Sequence, residues 1–166
     1  MKIFPDEILS VYLNTNCLGV TITFDCIATV YFCNFSLFQS LPDVWAIDQV
    51  FPVMPLQRRD EVPERVARLH DLTCDSDGCI AQYVDQDGVE SALPLHRFEA
   101  ATPYLIGIFL VGAYQETLGD LHNLFGRVNE VHVFLDPDEP AGYYIEEVIE
   151  GSTIVQALTN VQYDEN

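Results

Sequence analysis

Basic residues are scarce in this chain. Seven Lys and Arg, with Lys2 the single lysine, stand against 26 Asp and Glu, for a formal net charge of −19 over 166 residues. Such a surface repels phosphate backbones and excludes nucleic acid as a partner, while suiting a cationic ligand. Paired metal-ligand spacings are also missing. The five cysteines, Cys17, Cys26, Cys33, Cys74 and Cys79, are odd in number and form no Cys-x-x-Cys, and no histidines are paired. This argues against a zinc site or a disulfide framework and for a reduced, cytoplasmic protein. There is no glycine-rich loop of the kind that cradles phosphate, and neither Asp-Gly turn completes a twelve-residue calcium loop ending in Glu. No uninterrupted apolar run is long enough for a membrane helix. The most apolar window, 17–38, is broken by Asp25, Asn34 and Ser36 and is rich in strand-forming Thr, Val, Ile, Tyr and Phe. The first residues show no cleavage site, so no signal peptide is expected.

What is present is enough apolar sequence, 49%, for one domain with a core. Residues 1–28 carry no placeable pattern. Beyond them, Val30–Phe38 reads as a strand running into a loop, and Asp43–Val53 as a loop with another strand, closed by Pro52 and Pro55. Residues 57–64 form a charged surface connection. Val66–Thr73 alternates as a strand. Ile80–Val84 and Val89–Leu93 flank Asp87-Gly88, a hairpin signal. Tyr104–Val111 is a continuous apolar run, hence a strand buried on both faces. The period then changes: Leu118, Leu121, His122 and Phe125 mark a helical stripe that Gly126 would end. Val131, Val133 and Leu135 alternate again, Asp136-Pro137-Asp138 turns the chain, and Tyr143–Ile149 returns. Thr153-x-x-Gln156 is a capping box for a last helix bearing Ile154, Leu158 and Val161. The expected fold is mostly β, a barrel or sandwich with two short helices.

One segment concentrates chemistry. Leu72-Thr73-Cys74-Asp75-Ser76-Asp77-Gly78 sets a thiol beside carboxylates, between a strand and a tight turn. It joins Asn34-Phe35-Ser36-Leu37-Phe38-Gln39-Ser40, Trp45-Ala46-Ile47-Asp48-Gln49, Gly112-Ala113-Tyr114-Gln115-Glu116 and Leu121-His122-Asn123-Leu124-Phe125-Gly126. In this order and spacing, these segments resemble the fold-type-III pyridoxal-phosphate decarboxylases, in particular the biosynthetic arginine decarboxylases, over roughly residues 29–163. In that family a (β/α)8 barrel holds pyridoxal 5'-phosphate on a Schiff-base lysine, and a C-terminal β domain completes the site across a homodimer. The resemblance implies that residues 29–166 are the β domain of such a two-domain enzyme, which turns arginine into agmatine and carbon dioxide. It further implies a barrel, in the same enzyme or another subunit, as partner, and Mg2+ as a possible second cofactor.

Site residues carry over one by one. Cys74 matches the residue that protonates the substrate's α-carbon. A free thiol titrates near ~8.5, so it is mostly protonated at neutral pH yet able to release its proton, and an adjacent Asp75 favours the acid form. The alternative is a buried, inert cysteine. Asp75 matches a residue receiving the far end of the substrate, where a carboxylate accepts a planar guanidinium bidentately; it could equally cap a turn. Asp48 stands near where the family places a second substrate carboxylate, contributed from the cofactor-bearing subunit, or is a solvated loop residue. Tyr114 matches the tyrosine whose hydroxyl donates to the cofactor phosphate, or is an ordinary buried tyrosine. Asn123 and Phe125 are expected in a site wall or dimer contact, although core packing explains Phe125 equally well.

The single lysine leaves the family's cofactor anchor unaccounted for. Three readings follow: part of an arginine decarboxylase that works with a barrel domain, a non-catalytic module that binds and modulates a full-length enzyme, or an inert remnant. A β domain without its barrel is also expected to leave an apolar surface unburied.

Overall fold

The computed structural model describes residues 12–22, 28–74, 78–100 and 102–163. Its strands form three sheets. The largest contains β1 (Tyr12–Ile22), β2 (Thr29–Cys33), β3 (Val53–Pro55), β4 (Arg65–His70), β5 (Cys79–Ile80), β8 (Leu93–Leu95) and β9 (Leu105–Ile108). They run in the order β3-β9-β1-β2-β4-β5, with β8 also on β4. Between them stand a small hairpin of β6 (Tyr83–Asp85) and β7 (Gly88–Glu90) and, later in the chain, a long one of β10 (Glu130–Leu135) and β11 (Tyr143–Ile149). The four helices among the described residues are short: α1 (Leu37–Ser40), α2 (Pro42–Ala46), α3 (Ala113–Leu118) and α4 (Ile154–Thr159). The mostly-β expectation holds, in sheets that do not close into a barrel among the described residues.

Segment 1–28, patternless in sequence, supplies β1, which lies between β9 and β2. β2 and β4 pair in parallel, so the chain between them must cross over, and it does so through α1, α2 and β3. That makes residues 43–46 helical where the sequence suggested loop and strand. Pro42 at the first helical position favours this start. The expected helix over 118–125 is the larger correction. The helix is instead α3, ending at Leu118, and only a 3-10 turn at His122–Leu124 follows. The break is steric. Gly119 has extended backbone, and a Cβ there would lie 2.1 Å from the Gln39 carbonyl oxygen, so the chain is pinned against α1 at that point. Gly126 therefore ends no helix; it abuts Ser152. The capping box at Thr153 and Gln156 forms as expected.

The core is contributed by alternating residues of the large sheet and by α1: Tyr31, Leu37, Leu69, Leu95, Ile106 and Ile108 are all buried. Buried polar groups in it are matched. The Tyr31 hydroxyl donates to the His96 carbonyl at 2.7 Å. The Tyr104 hydroxyl accepts the His96 backbone N–H at 3.1 Å and meets His96 Nδ1 at 2.7 Å, while Nε2 faces the Glu61 carbonyl at 3.2 Å. A carbonyl only accepts, so Nε2 carries the proton and Nδ1 accepts from Tyr104. His96 is thus a structural residue.

The long hairpin has a different character. Cross-strand pairs Val131–Val148, Val133–Ile145 and Leu135–Tyr143 put six apolar side chains on one face. Leu135, Tyr143, Ile145 and Val148 remain exposed, so the expected unburied apolar surface is present here.

Tyr83 links two core strands: its hydroxyl accepts the Leu69 N–H at 2.8 Å and donates to the Ile80 carbonyl. Replacing it by Phe orphans two buried main-chain groups. Tyr83→Phe should cost about 1–3 kcal/mol in urea-monitored unfolding; a loss below ~0.5 kcal/mol would mean these groups find other partners.

Candidate functional site

The chemistry-bearing loop hangs from one buried carboxylate. Asp71, just past β4, is 0% exposed. Its oxygens accept the Leu37 N–H at 2.8 Å, the Thr73 N–H at 3.0 Å and the Thr73 hydroxyl at 2.7 Å. Its own N–H donates to the Gly78 carbonyl at 2.8 Å, and the Leu72 N–H donates to the Phe35 carbonyl at 3.2 Å. The two ends of the loop are thus drawn together and tied to the start of α1. Gly78 is needed sterically, since a Cβ there would fall 2.0 Å from Asp71 Oδ2.

Held in this way, the loop turns outward at Cys74, which is exposed with a free thiol. This differs from Cys33, which is buried, and from Cys79, which is half-buried and whose thiol is pushed up by burial. The Cys74 Sγ–H points to Asn123 Oδ1 at 3.7 Å, across 49 residues of sequence. Asn123 belongs to the 3-10 turn and has left-handed backbone, φ 57°, as does Leu124 at φ 60°. This second loop is also tied to α1: the Asp120 N–H donates to the Phe38 carbonyl at 3.0 Å, and the His122 ring packs on Phe38 at 4.7 Å.

Tyr114 lies in the first turn of α3, past the end of the apolar strand, and is 76% exposed. Its hydroxyl has no hydrogen-bond partner among the described residues, and no atom lies within 4 Å of where a Cβ on Gly112 would sit. The neighbouring Gln115 is buried for a structural reason. It accepts the Asp43 N–H at 3.1 Å and donates to Asp43 Oδ2 at 2.5 Å, which joins α3 to the first turn of α2. Asp48 is exposed with φ 55° and lines a cleft of about 150 Å³ with Trp45, Gln49 and Cys79. Neither Cys74 nor Tyr114 lines that cleft, so the structure brings Cys74 to Asn123 but does not join Asp48 to them. Asp75 falls outside the described residues, as do Ser76 and Asp77. Among the described residues no group of three or more His, Cys, Asp or Glu could hold a metal ion, and no helix is long and apolar enough to cross a membrane.

Asp71 and the Gln115–Asp43 pair were not singled out in the sequence. Asp71 did carry a signal: an Asp at a strand end with Thr two residues on is able to fold the chain back on its own side chain. Nothing local announces Gln115, whose partner is 72 residues away.

A biosynthetic arginine decarboxylase from Alkalilimnicola ehrlichii is 60% identical over 138 residues, which is 83% of this chain and 22% of that protein. One from Bacteroides thetaiotaomicron is 56% identical over 138 residues, 83% of this chain and 21% of that protein. The crystal structure of the biosynthetic arginine decarboxylase from Campylobacter jejuni matches with a TM-score of 0.70 and 44% identity, covering 83% of this chain and 22% of that one. A diaminopimelate decarboxylase from M. jannaschii has a TM-score of 0.59 at 13% identity, covering 93% and 30%, which shows a shared fold alone. No protein-family model matches. The chain spans about a fifth of the length of the curated relatives it matches.

Asp71→Asn keeps the shape but turns an N–H pair toward groups that themselves donate. It should cost about 2–4 kcal/mol in denaturant unfolding, and a neutral outcome would show that the carboxylate is not the anchor. Glu116 offers a pH test. Burial holds its carboxyl above the ordinary value, with Glu130 adding to the effect and Arg127 and Gln39 opposing it. Its contribution is therefore fully present below pH 4.5 and lost as pH rises through the elevated folded value. Glu116→Gln should raise the melting temperature relative to the parent at pH 7 and lose that advantage by pH 4. An equal difference at both pH values would contradict this.

Proposed function

Because the chain is homologous to the C-terminal β domain of the biosynthetic arginine decarboxylases, we propose that it serves as the proton-donating domain of such an enzyme. The reaction is the conversion of arginine to agmatine and carbon dioxide. The observation that carries this reading is the extent of identity, 60% over 138 residues, which includes the loop that exposes Cys74. The matching domain is residues 29–166, its sheet completed in this chain by β1 (Tyr12–Ile22), and a lysine-bearing barrel domain, in the same polypeptide or another subunit, completes the site. The only lysine of this chain, Lys2, lies outside the described residues.

Pyridoxal 5'-phosphate, when bound, takes up the electron pair that loss of carbon dioxide leaves on the substrate. The residues here fit such a group. Tyr114 offers an exposed hydroxyl without a partner among the described residues, beside the open backbone of Gly112, and would donate to the phosphate. Cys74 holds a transferable proton at Sγ and delivers it to the α-carbon. The role requires a reachable thiol, and Cys74 is exposed. Asp75 accepts the substrate guanidinium, for which a carboxylate supplies two parallel acceptors. Asp48, in a separate cleft that also presents the Trp45 indole, favours a cation and is the second substrate carboxylate of a site whose Cys74 comes from the other subunit. A surface of net charge −19 draws the cationic substrate inward.

A chimera tests the reading: residues 29–166 replace the matching domain of the A. ehrlichii relative. It should release carbon dioxide from arginine, and Cys74→Ala should lower turnover by about 10²-fold or more, the scale of a lost general acid. A folded, cofactor-loaded chimera that is inactive, or one indifferent to Cys74→Ala, contradicts it.

A further inference from the structure

We propose that Asn123 is a positioning residue for Cys74: its side-chain carbonyl receives the Sγ–H and sets the direction of that proton. The inference rests on the reading of Cys74 as a proton donor. It is drawn from the contact of Sγ with Asn123 Oδ1 at 3.7 Å. An amide oxygen is acceptor-only, so this contact exists only while the sulfur carries its proton.

The surroundings hold both partners in place. Cys74 follows directly on Thr73, which Asp71 fixes through two hydrogen bonds. Asn123 follows His122, whose ring packs on Phe38, and the turn around it is closed by Leu124 N–H to the Leu121 carbonyl at 3.1 Å and Phe125 N–H to the His122 carbonyl at 3.3 Å. Both loops are thus anchored on neighbouring residues, Leu37 and Phe38, so the separation of thiol and amide is set by one rigid element.

Two successive left-handed residues, Asn123 and Leu124, are unfavourable for side-chain-bearing amino acids. Asparagine enters that region more readily than most. A purely conformational role would be met equally well by glycine, whereas asparagine carries an amide that reaches the exposed thiol. This difference defines the test. Asn123→Gly keeps the left-handed backbone and removes only the acceptor. Asn123→Asp keeps an acceptor and makes it stronger.

The experiment is alkylation of the unmodified chain by iodoacetamide at fixed pH, with each cysteine followed separately by peptide mass spectrometry. Buried Cys33 reports whether each variant remains folded. Asn123→Gly should accelerate labelling of Cys74 by about twofold to threefold, the scale of a lost weak S–H hydrogen bond, and Asn123→Asp should slow it. Unchanged labelling in Asn123→Gly, or both variants shifting the same way with Cys33 still protected, overturns the proposal. If Asn123→Gly unfolds the chain, Asn123→Asp read against the parent decides alone: labelling that is not slowed overturns the proposal. No cofactor or substrate takes part, so failure here is separable from failure of the decarboxylase reading, which the chimera tests.

Discussion

The carboxylate of Asp71 is the constraint on which the candidate site depends. Removing a carboxylate from water is costly unless its oxygens are fully engaged, and here three donors from two segments converge on it. The arrangement ties the end of β4 to the start of α1 and forces the chain to turn outward beyond Thr73. Without it the 71–78 loop would have no reason to close at Gly78 or to expose Cys74. A second loop, 120–124, is pinned to the next residue of α1. A four-residue helix therefore fixes the relation between two groups far apart in sequence.

Much of this was legible in the sequence, and what was not has identifiable causes. The hairpin of β10 and β11 and the capping box at Thr153 are set by local alternation and spacing, and both appear as read. The loop holding Cys74 stood out because turn residues and a thiol coincide there. The helix expected over 118–125 failed because Gly119 must lie against the Gln39 carbonyl, a long-range contact that no periodicity encodes. Tyr114 follows the apolar run closely in sequence but lies in the first turn of α3, a change of element that the run itself does not encode. The pairing of Cys74 with Asn123 was invisible for the same reason as that of Gln115 with Asp43: each spans dozens of residues and depends on the fold being in place.

Charge and exposed apolar surface pull in opposite directions on this chain. Net charge of −19 opposes self-association, while the apolar face of the β10–β11 hairpin and the exposed Trp45, Ile47 and Leu110 favour burial against something else. The uncovered apolar face and the outward thiol belong to a chain that corresponds to about one fifth of the relatives it matches.

The account is tested most directly by hydrogen–deuterium exchange resolved at the amides of Leu37 and Thr73, both of which donate to the Asp71 carboxylate. Both should exchange as slowly as the amides of β4, since opening them leaves a buried carboxylate without its donors. Exchange at the rate of unprotected loop amides, with β4 still protected, would show that the carboxylate does not hold the loop and would contradict the account.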